Sequence, residues 1–570
     1  MMYYPGLCKE KMRTLSRLTR RATPLVLLLA FLLAACSGQG GEQPRNDGEP
    51  PVVVRPDPGK PVPGGRIVQA LLGDASNLIP MLASDTASSE ITGQIFVAPL
   101  RYNKNLELVP WAAESYEILD GGRLLRFKLR EDIRWTDGVP LTAEDVEFTY
   151  KLMIDPKTPT PYSGDYDRVK EFKVTGPYSF EVRYDEPFAR ALVTWAHDIL
   201  PKHALKGEDL LNTRYSREPL GAGPYRLKEW IPGRRIVLTA NEDYFLGRPY
   251  IDEIVYRIIP DQATQFLELK AGNLDFMGLS PMDYVYQTSG PDWTERFNKY
   301  RYLSAGYTYM AYNLEHPIFS DRRVRRALAH AIDKREIVKG VLLGLGQPAV
   351  GPFQPGTWAY RDDIEPFRYD PELARRMLAE AGWEDHDGDG VLDKDGRAFS
   401  FTLLTNQGNA QRQRAATIIQ YRLAQIGIKV DIRAVEWATF LHEFVDKGRF
   451  DALILAWTTP AEPDPYSVWH SDNAKDGGLN FVRYRNPELD RLVDAARRTL
   501  DREARRKMYW RVQEILHEDQ PYCFLYVPMS LPIVAARVQG IAPAPAGIGY
   551  NSDRWWIPEP LQGSQPRLIQ

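Results

Sequence analysis

Cysteine is almost absent from this chain: Cys8, Cys36 and Cys523 are the three among 570 residues. Two of them fall in or beside an amino-terminal leader, so neither a disulfide framework nor a thiolate metal site is available to the body. Histidine is equally sparse, eight in all, and no two stand at metal-ligating spacing. An excess of positive charge is missing as well. Lys and Arg number 72 against 75 Asp and Glu, a formal net charge of -3, and removing the leader makes the remainder more acidic; a nucleic-acid partner would call for a visibly basic surface. Long apolar runs are lacking too. The best of them, residues 24–35, is about a dozen residues long where a membrane span needs roughly 20. Catalytic signatures are also missing: there is no HExxH, Gly-x-Ser-x-Gly, P-loop or dinucleotide fingerprint, and GLGQPAVG at 344–351 has the wrong spacing. Acids are abundant, so a carboxylate pair of the glycosidase kind stays open.

What is present begins with the leader. Lys9, Lys11, Arg13, Arg17, Arg20 and Arg21 precede the short apolar run, the order of an export signal, with Met12 as an alternative start. Leu33-Ala34-Ala35-Cys36 resembles a bacterial lipobox, in which Cys36 becomes the lipidated first residue; ordinary cleavage near Ala35 is the alternative. Residues 36–65 are rich in Pro and Gly without a core-forming pattern, and read as a flexible tether. The 13 Trp and 30 Tyr suit both large cores and the gripping of mixed polar and apolar ligands.

The body from residue 66 exceeds what one core fills, so two or three domains are expected. RIVQALLG, LLRFKLR (124–130) and YSFEVRY (178–184) alternate as strands do. Thr142 caps a helix AEDVEFTYKLM with Asp145 at the reciprocal position. RRIVLTAN and IDEIVYRIIP add strands, and ATQFLELKAG a helix. In DRRVRRALAHAIDKREIVKG the residues Val324, Ala327, Leu328, Ala331 and Ile332 form one helical stripe capped by Ser320 or Asp321. DPELARRMLAEAG is a helix bounded by Asp370 and Gly382. The alternation of FSFTLLT, QRQRAATIIQYRLAQIG, IKVDIRAVEW, FLHEFVDKG and DALILAW between strand and helix predicts a layered βαβ domain over about 311–532. A cleft between two such domains is where a ligand is expected.

The stretch DHDGDGVLDKDG places Asp385, Asp387, Asp389 and Asp393 at positions 1, 3, 5 and 9 of a calcium-type loop, but position 12 is Gly396 where a bidentate Glu belongs. It reads either as a solvated acidic turn or as a structural calcium loop. No other metal or cofactor is expected.

Several segments taken together resemble the family 5 extracellular solute-binding proteins of ABC transporters, which include dipeptide- and oligopeptide-binding receptors. They are GDASNLIPMLASDTASSEI, LRFKLREDIRWTDGVPLTAEDVEFTY, PLGAGPYRLKEW, IFSDRRVRRALAHAIDKREIV, AGWEDHDGDGVLDKDG and DPYSVWHS, in that order. The resemblance implies an α/β, periplasmic-binding-protein-like fold, two lobes about a central cleft plus an additional α+β domain. Domain I would comprise 66–107, 225–309 and 533–560, domain II 108–224 and domain III 310–532. It also implies a non-enzymatic, monomeric receptor, lipid-anchored outside the cytoplasmic membrane. Such a receptor closes on a peptide or a saccharide and docks on an ABC permease; an exported glycoside hydrolase is the competing reading. In peptide receptors of the family an Asp three residues beyond a domain III Trp holds the ligand's free amine. Here Trp457 is followed at that distance by Pro460, so Glu462 or Asp464 would have to substitute. Trp457 and Trp437 are candidate pocket walls, Tyr312 and Asn313 follow the implied crossover into domain III, and Asp85, Thr86 and Ser88 lie in the segment that faces the cleft in relatives. Gly221, Gly223, Pro224 and Tyr225 match a family motif and read as architecture at a domain junction.

Overall fold

Strand β1 (Arg66–Leu71) is buried along both faces, as its nearly continuous apolar run requires of a central strand. In the computed structural model, which describes residues 59–83 and 85–563, β1 runs parallel to both neighbours, Glu253–Ile258 and Phe276–Gly278. The leader, Cys36 and residues 36–58 of the expected tether lie outside the described residues. The seven-stranded sheet of this first lobe continues through Arg235–Ala240 and Tyr225–Ile231 on one side and Pro532–Ala535 and Phe297–Lys299 on the other. A buried ion pair pins its distant segments. Arg537 donates from Nε and Nη2 to the two oxygens of Asp275, both at 2.8 Å, and the Val68 amide donates to the same carboxylate at 2.9 Å.

A second lobe is built on a four-stranded antiparallel sheet, Ala113–Leu119, Leu124–Leu129, Ser179–Tyr184 and Val169–Gly176 in spatial order. Leu124–Leu129 alternates between inside and outside after its first two residues. The inward residues feed a ladder of rings in which Phe127, Phe180, Phe172 and Tyr150 stack in turn at 4.8 to 5.3 Å. Tyr150 comes from the helix Ala143–Met153, whose expected capping box of Thr142 and Asp145 is formed. The hairpin of Leu100–Tyr102 and Leu108–Pro110 leads into this lobe, and so spans the expected boundary at 107/108.

The third lobe has a mixed sheet whose main path is Tyr302–Leu303, Tyr522–Ser530, Gly306–Tyr312, Ala452–Thr458, Ser400–Asn406 and Lys429–Val435. Here the structure departs from the sequence pattern in three places. The stripe from Val324 onward is divided into helices Arg322–Ala331 and Lys334–Leu342. Ile332 is extended and the Asp333 carboxylate accepts from the amides of Arg335 and Glu336, starting a new helix where the periodicity alone would continue the old one. FLHEFVDKG opens as a π-helix, Phe440–Val445, that continues from a helical turn, Trp437–Thr439. Finally, two long helices not among those expected above, Pro487–Arg498 and Arg502–Asp519, are capped by Asn486 and Asp501, the first burying the stripe Leu489, Val493 and Ala496.

Two chain crossings join the first and third lobes, and they lie side by side. Lys299 pairs with Ile533 in the first sheet and Tyr302 with Ser530 in the third, and between them the Tyr300 amide donates to the Pro532 carbonyl at 2.9 Å. Two adjacent short crossings of this kind concentrate bending in a few residues. The junction between the first and second lobes is tighter. The Gly223 amide donates to the Ile95 carbonyl at 2.7 Å, and a Cβ added at Gly221 would lie 2.0 Å from that same oxygen. The expected architectural role of this Gly-x-Gly is therefore explained by backbone approach.

Candidate ligand-binding site

The loop after strand Ala452–Thr458 carries Glu462 and Asp464. Pro460, Pro463 and Pro465 stiffen it, and its carboxylates meet guanidinium groups from elsewhere in the chain. Glu462 is ion-paired with Arg505, and its backbone carbonyl accepts from Arg190 Nη1 at 2.9 Å. Asp464 lies 3.2 Å from Arg497 Nε and 3.8 Å from Arg190 Nε. Arg190 belongs to the second lobe and is held there by Asp165, to which its Nε and Nη2 donate at 2.9 Å. Burial lowers the Arg190 pKa, but the acids around it outweigh that and raise it. Burial, then the nearby Glu462 charge, pushes the Tyr102 hydroxyl up to about 12. Around this cluster the second and third lobes touch repeatedly: the Ala189 amide donates to the Arg497 carbonyl at 2.7 Å and Arg498 pairs with Glu186 at 3.0 Å. Both candidate acids are thus engaged by arginines, and neither offers a free carboxylate in place of the acid that Pro460 displaces.

The other sequence candidates separate into packing and surface. Tyr312 is fully buried against Phe319, with ring centroids 4.9 Å apart, and lines no cleft. Asn313 holds the loop before the neighbouring strand, its amide nitrogen donating to the carbonyls of Gly448 and Phe450. Trp457 is half-buried, with its indole nitrogen 3.3 Å from the Tyr522 hydroxyl and its ring parallel to Tyr309. Trp437 is 46% exposed.

Asp85 is the N-cap of helix α1 (Thr86–Ile95). It accepts from the Ser88 amide at 2.8 Å, the Ser88 hydroxyl at 2.6 Å and the Ser76 hydroxyl at 2.5 Å. Burial raises its pKa, but these donors win and hold it below the usual carboxylate value. Ser88 is fully buried in that network, whereas Thr86 opens the helix at the surface. Of the three, only Thr86 is left for a ligand.

Among the described residues, Asp385, Asp387 and Asp389 alone bring three acidic ligand atoms together, within 4.8 Å and exposed. Asp393 is not with them. It accepts from the His386 amide at 2.9 Å and pairs with the His386 ring at 3.0 Å, so the expected fourth oxygen of a calcium loop points elsewhere. Residues that sequence reasoning missed include Arg190, Arg497 and Arg505, which no motif marks, and Glu90 of α1. Glu90 borders a cavity of about 410 Å³ in the first lobe, together with Gln69, Tyr225, Tyr256, Tyr302 and Trp555.

Comparison with known proteins places this geometry. The chain is 35% identical over 557 residues to the oligopeptide-binding protein AppA of Bacillus subtilis, covering 94% of this chain and 99% of that one. It is 31% identical over 503 residues to protein XP55 of Streptomyces lividans, covering 85% and 89%. Among solved structures, AppA from Bacillus subtilis in complex with a nonapeptide superposes with a TM-score of 0.77 at 34% identity, covering 87% of this chain and all of that one. NikZ from Campylobacter jejuni in complex with Ni(L-His) superposes at 0.76 with 26% identity and the same coverage. The α/β architecture is accordingly the multi-lobed, periplasmic-binding-protein-like fold. Residues 107–478 match the middle region of the bacterial extracellular solute-binding proteins, family 5, and the chain belongs to that family.

Proposed function

We propose that this protein is the substrate receptor of an ABC importer, capturing oligopeptides between its first and third lobes and handing them unchanged to a membrane permease. The observation that carries the reading is correspondence over nearly the whole chain with an oligopeptide-binding protein. The paired crossings at Lys299 to Tyr302 and Ser530 to Pro532 support it physically, since a ligand touching both lobes would bias a hinge of this form toward closure. In this reading the receptor is a monomer outside the cytoplasmic membrane, held by lipid on Cys36, with the Pro-rich segment as its tether.

Purification without denaturation, native mass spectrometry and identification of the released solute test the peptide assignment. A ladder of peptide masses supports it, and a single glycan mass moves the receptor to saccharides. Turnover of the bound solute would instead mark an enzyme. Cys36→Ala tests the anchor: the protein should leave the membrane fraction, and unchanged membrane retention refutes the lipid.

A further inference from the structure

Glu90 stands in a setting that calls for a partner the chain does not supply. It lies on α1, over the face of the first sheet that presents Ile67 and Gln69 of β1. Beneath α1 is the cavity of about 410 Å³, walled by Tyr225, Tyr256, Phe276, Tyr302 and Trp555. Its lining includes no lysine or arginine. Among the described residues, no hydrogen bond or ion pair reaches the Glu90 carboxylate, and burial alone pushes its pKa up to about 7. Tyr225 in the same wall is fully buried, with its hydroxyl oxygen sealed off from the cavity. Gln94, one turn along α1, is by contrast occupied, donating to the Ser552 hydroxyl at 3.3 Å.

We propose that this cavity is a subsite for an organic cation, an ammonium or guanidinium, with Glu90 as its counter-ion and the aromatic rings as its walls. The proposal rests on the reading of the protein as a solute receptor. An anion would meet an unpaired carboxylate, and an apolar group would leave the half-buried Glu90 without a partner, which is costly. A cation relieves it and gains from the ring faces. Tyr302 stands at the crossing into the third lobe, where it pairs with Ser530, so occupancy of this subsite touches the hinge directly.

The cation could belong to a peptide or be a free amine, and calorimetry on the purified full chain separates the two. The probes are n-butylammonium, tetramethylammonium, the peptide Ala-Lys-Ala-Ala, and its N-acetylated norleucine analogue, which has no cationic nitrogen. The expected result is binding of the lysine peptide about tenfold or more tighter than the uncharged analogue, with Glu90→Gln erasing the difference. Binding of n-butylammonium alone, lost in Glu90→Gln, supports the subsite with a free amine as its ligand and counts against peptide uptake. Equal binding of charged and uncharged peptides, or a charge preference that survives Glu90→Gln, overturns the subsite while leaving the peptide receptor standing. Failure of n-butylammonium, tetramethylammonium and the lysine peptide alike to bind the wild-type chain overturns it as well.

Discussion

Removing Arg190 tests whether the contact between the second and third lobes belongs to ligand-driven closure. Arg190 makes one charged hydrogen bond across the lobes, to the Glu462 carbonyl at 2.9 Å, and one ion pair, to Asp464 at 3.8 Å. Its bonds to Asp165 lie within its own lobe and do not change on opening. A hydrogen bond to a charged group contributes about 1.5–3 kcal/mol, and a partly exposed ion pair about 0.5 kcal/mol. Asp464 keeps Arg497 at 3.2 Å and Asp165 keeps it at 3.8 Å, so Arg190→Ala leaves neither acid without a cation. The cross-lobe loss is then about 2–3 kcal/mol, a shift of roughly 30- to 150-fold in the equilibrium between closed and open forms. If closure and capture are one two-state process, ligand affinity should fall by the same factor, mainly through faster release. Calorimetry with the co-purified solute gives the affinity, and small-angle scattering of the liganded protein should show a larger radius of gyration. Arg190→Lys, which keeps the charge without the planar fork, should fall between. Glu462→Gln should barely change closure, because Arg190 uses the backbone oxygen of that residue. Unchanged affinity and scattering in Arg190→Ala, with an unchanged denaturation midpoint, would refute the link between this contact and capture.

Four further outcomes are expected in other parts of the molecule. Burial raises the Asp198 carboxyl from 3.8 to about 7, so the folded state holds its proton longer than the unfolded state and stability falls as pH rises through that window. Because the residue keeps partial solvent contact, about 2 kcal/mol is at stake; Asp198→Asn should remove this dependence when urea midpoints at pH 4.5 and pH 8 are compared, and a steeper dependence would contradict it. Arg537→Ala should destabilise by about 3–5 kcal/mol, since it strands Asp275, whose side chain is 2% exposed; a loss below about 1 kcal/mol in the same assay would contradict the strut. Gly221→Ala forces a Cβ against the Ile95 carbonyl and should cost about 1–3 kcal/mol, with a melting temperature equal to wild type as the contrary result. Calcium at millimolar concentration should leave the melting temperature unchanged, because Asp393 is turned to His386 and the twelfth loop position is glycine; a rise abolished by Asp387→Asn would show otherwise.

Most strands and many helices are legible in the sequence because their signals are local. RIVQAL, LLRFKL and SFEVRY carry the apolar patterns of their sheets, and Thr142 with Asp145 forms the box that their spacing announces. The pattern misleads where a local competitor acts, as at Asp333, whose carboxylate caps a new helix and interrupts a continuous apolar stripe. The helices Pro487–Arg498 and Arg502–Asp519 are marked by Asn486 and Asp501, yet their dense arginines give the segment the look of a solvated stretch. Some of those arginines are in fact buried: Arg497 and Arg505 are 9% and 6% exposed, closed over by the loop of residues 462–464. Burial of this kind depends on partners far away in sequence, which periodicity does not report.

The same dependence on distant partners governs the candidate site. Trp457, Glu462 and Asp464 stand close together in sequence, and two acids just beyond a vacated anchor position invite the inference that one of them replaces it. In the folded chain three acids, Asp165, Glu462 and Asp464, face three guanidinium groups, Arg190, Arg497 and Arg505. Such a cluster is neutral and already paired. An incoming ammonium would have to displace an arginine to use either acid, leaving that arginine buried and unpaired at a cost comparable to what the new contact gains. A carboxylate without a competing cation is the better anchor. Glu90 meets that condition on the first lobe, where no lysine or arginine lines its cavity. If both hold, this chain keeps two tasks apart: the 462–464 loop fastens the second lobe to the third, and Glu90 reads the charge of the solute.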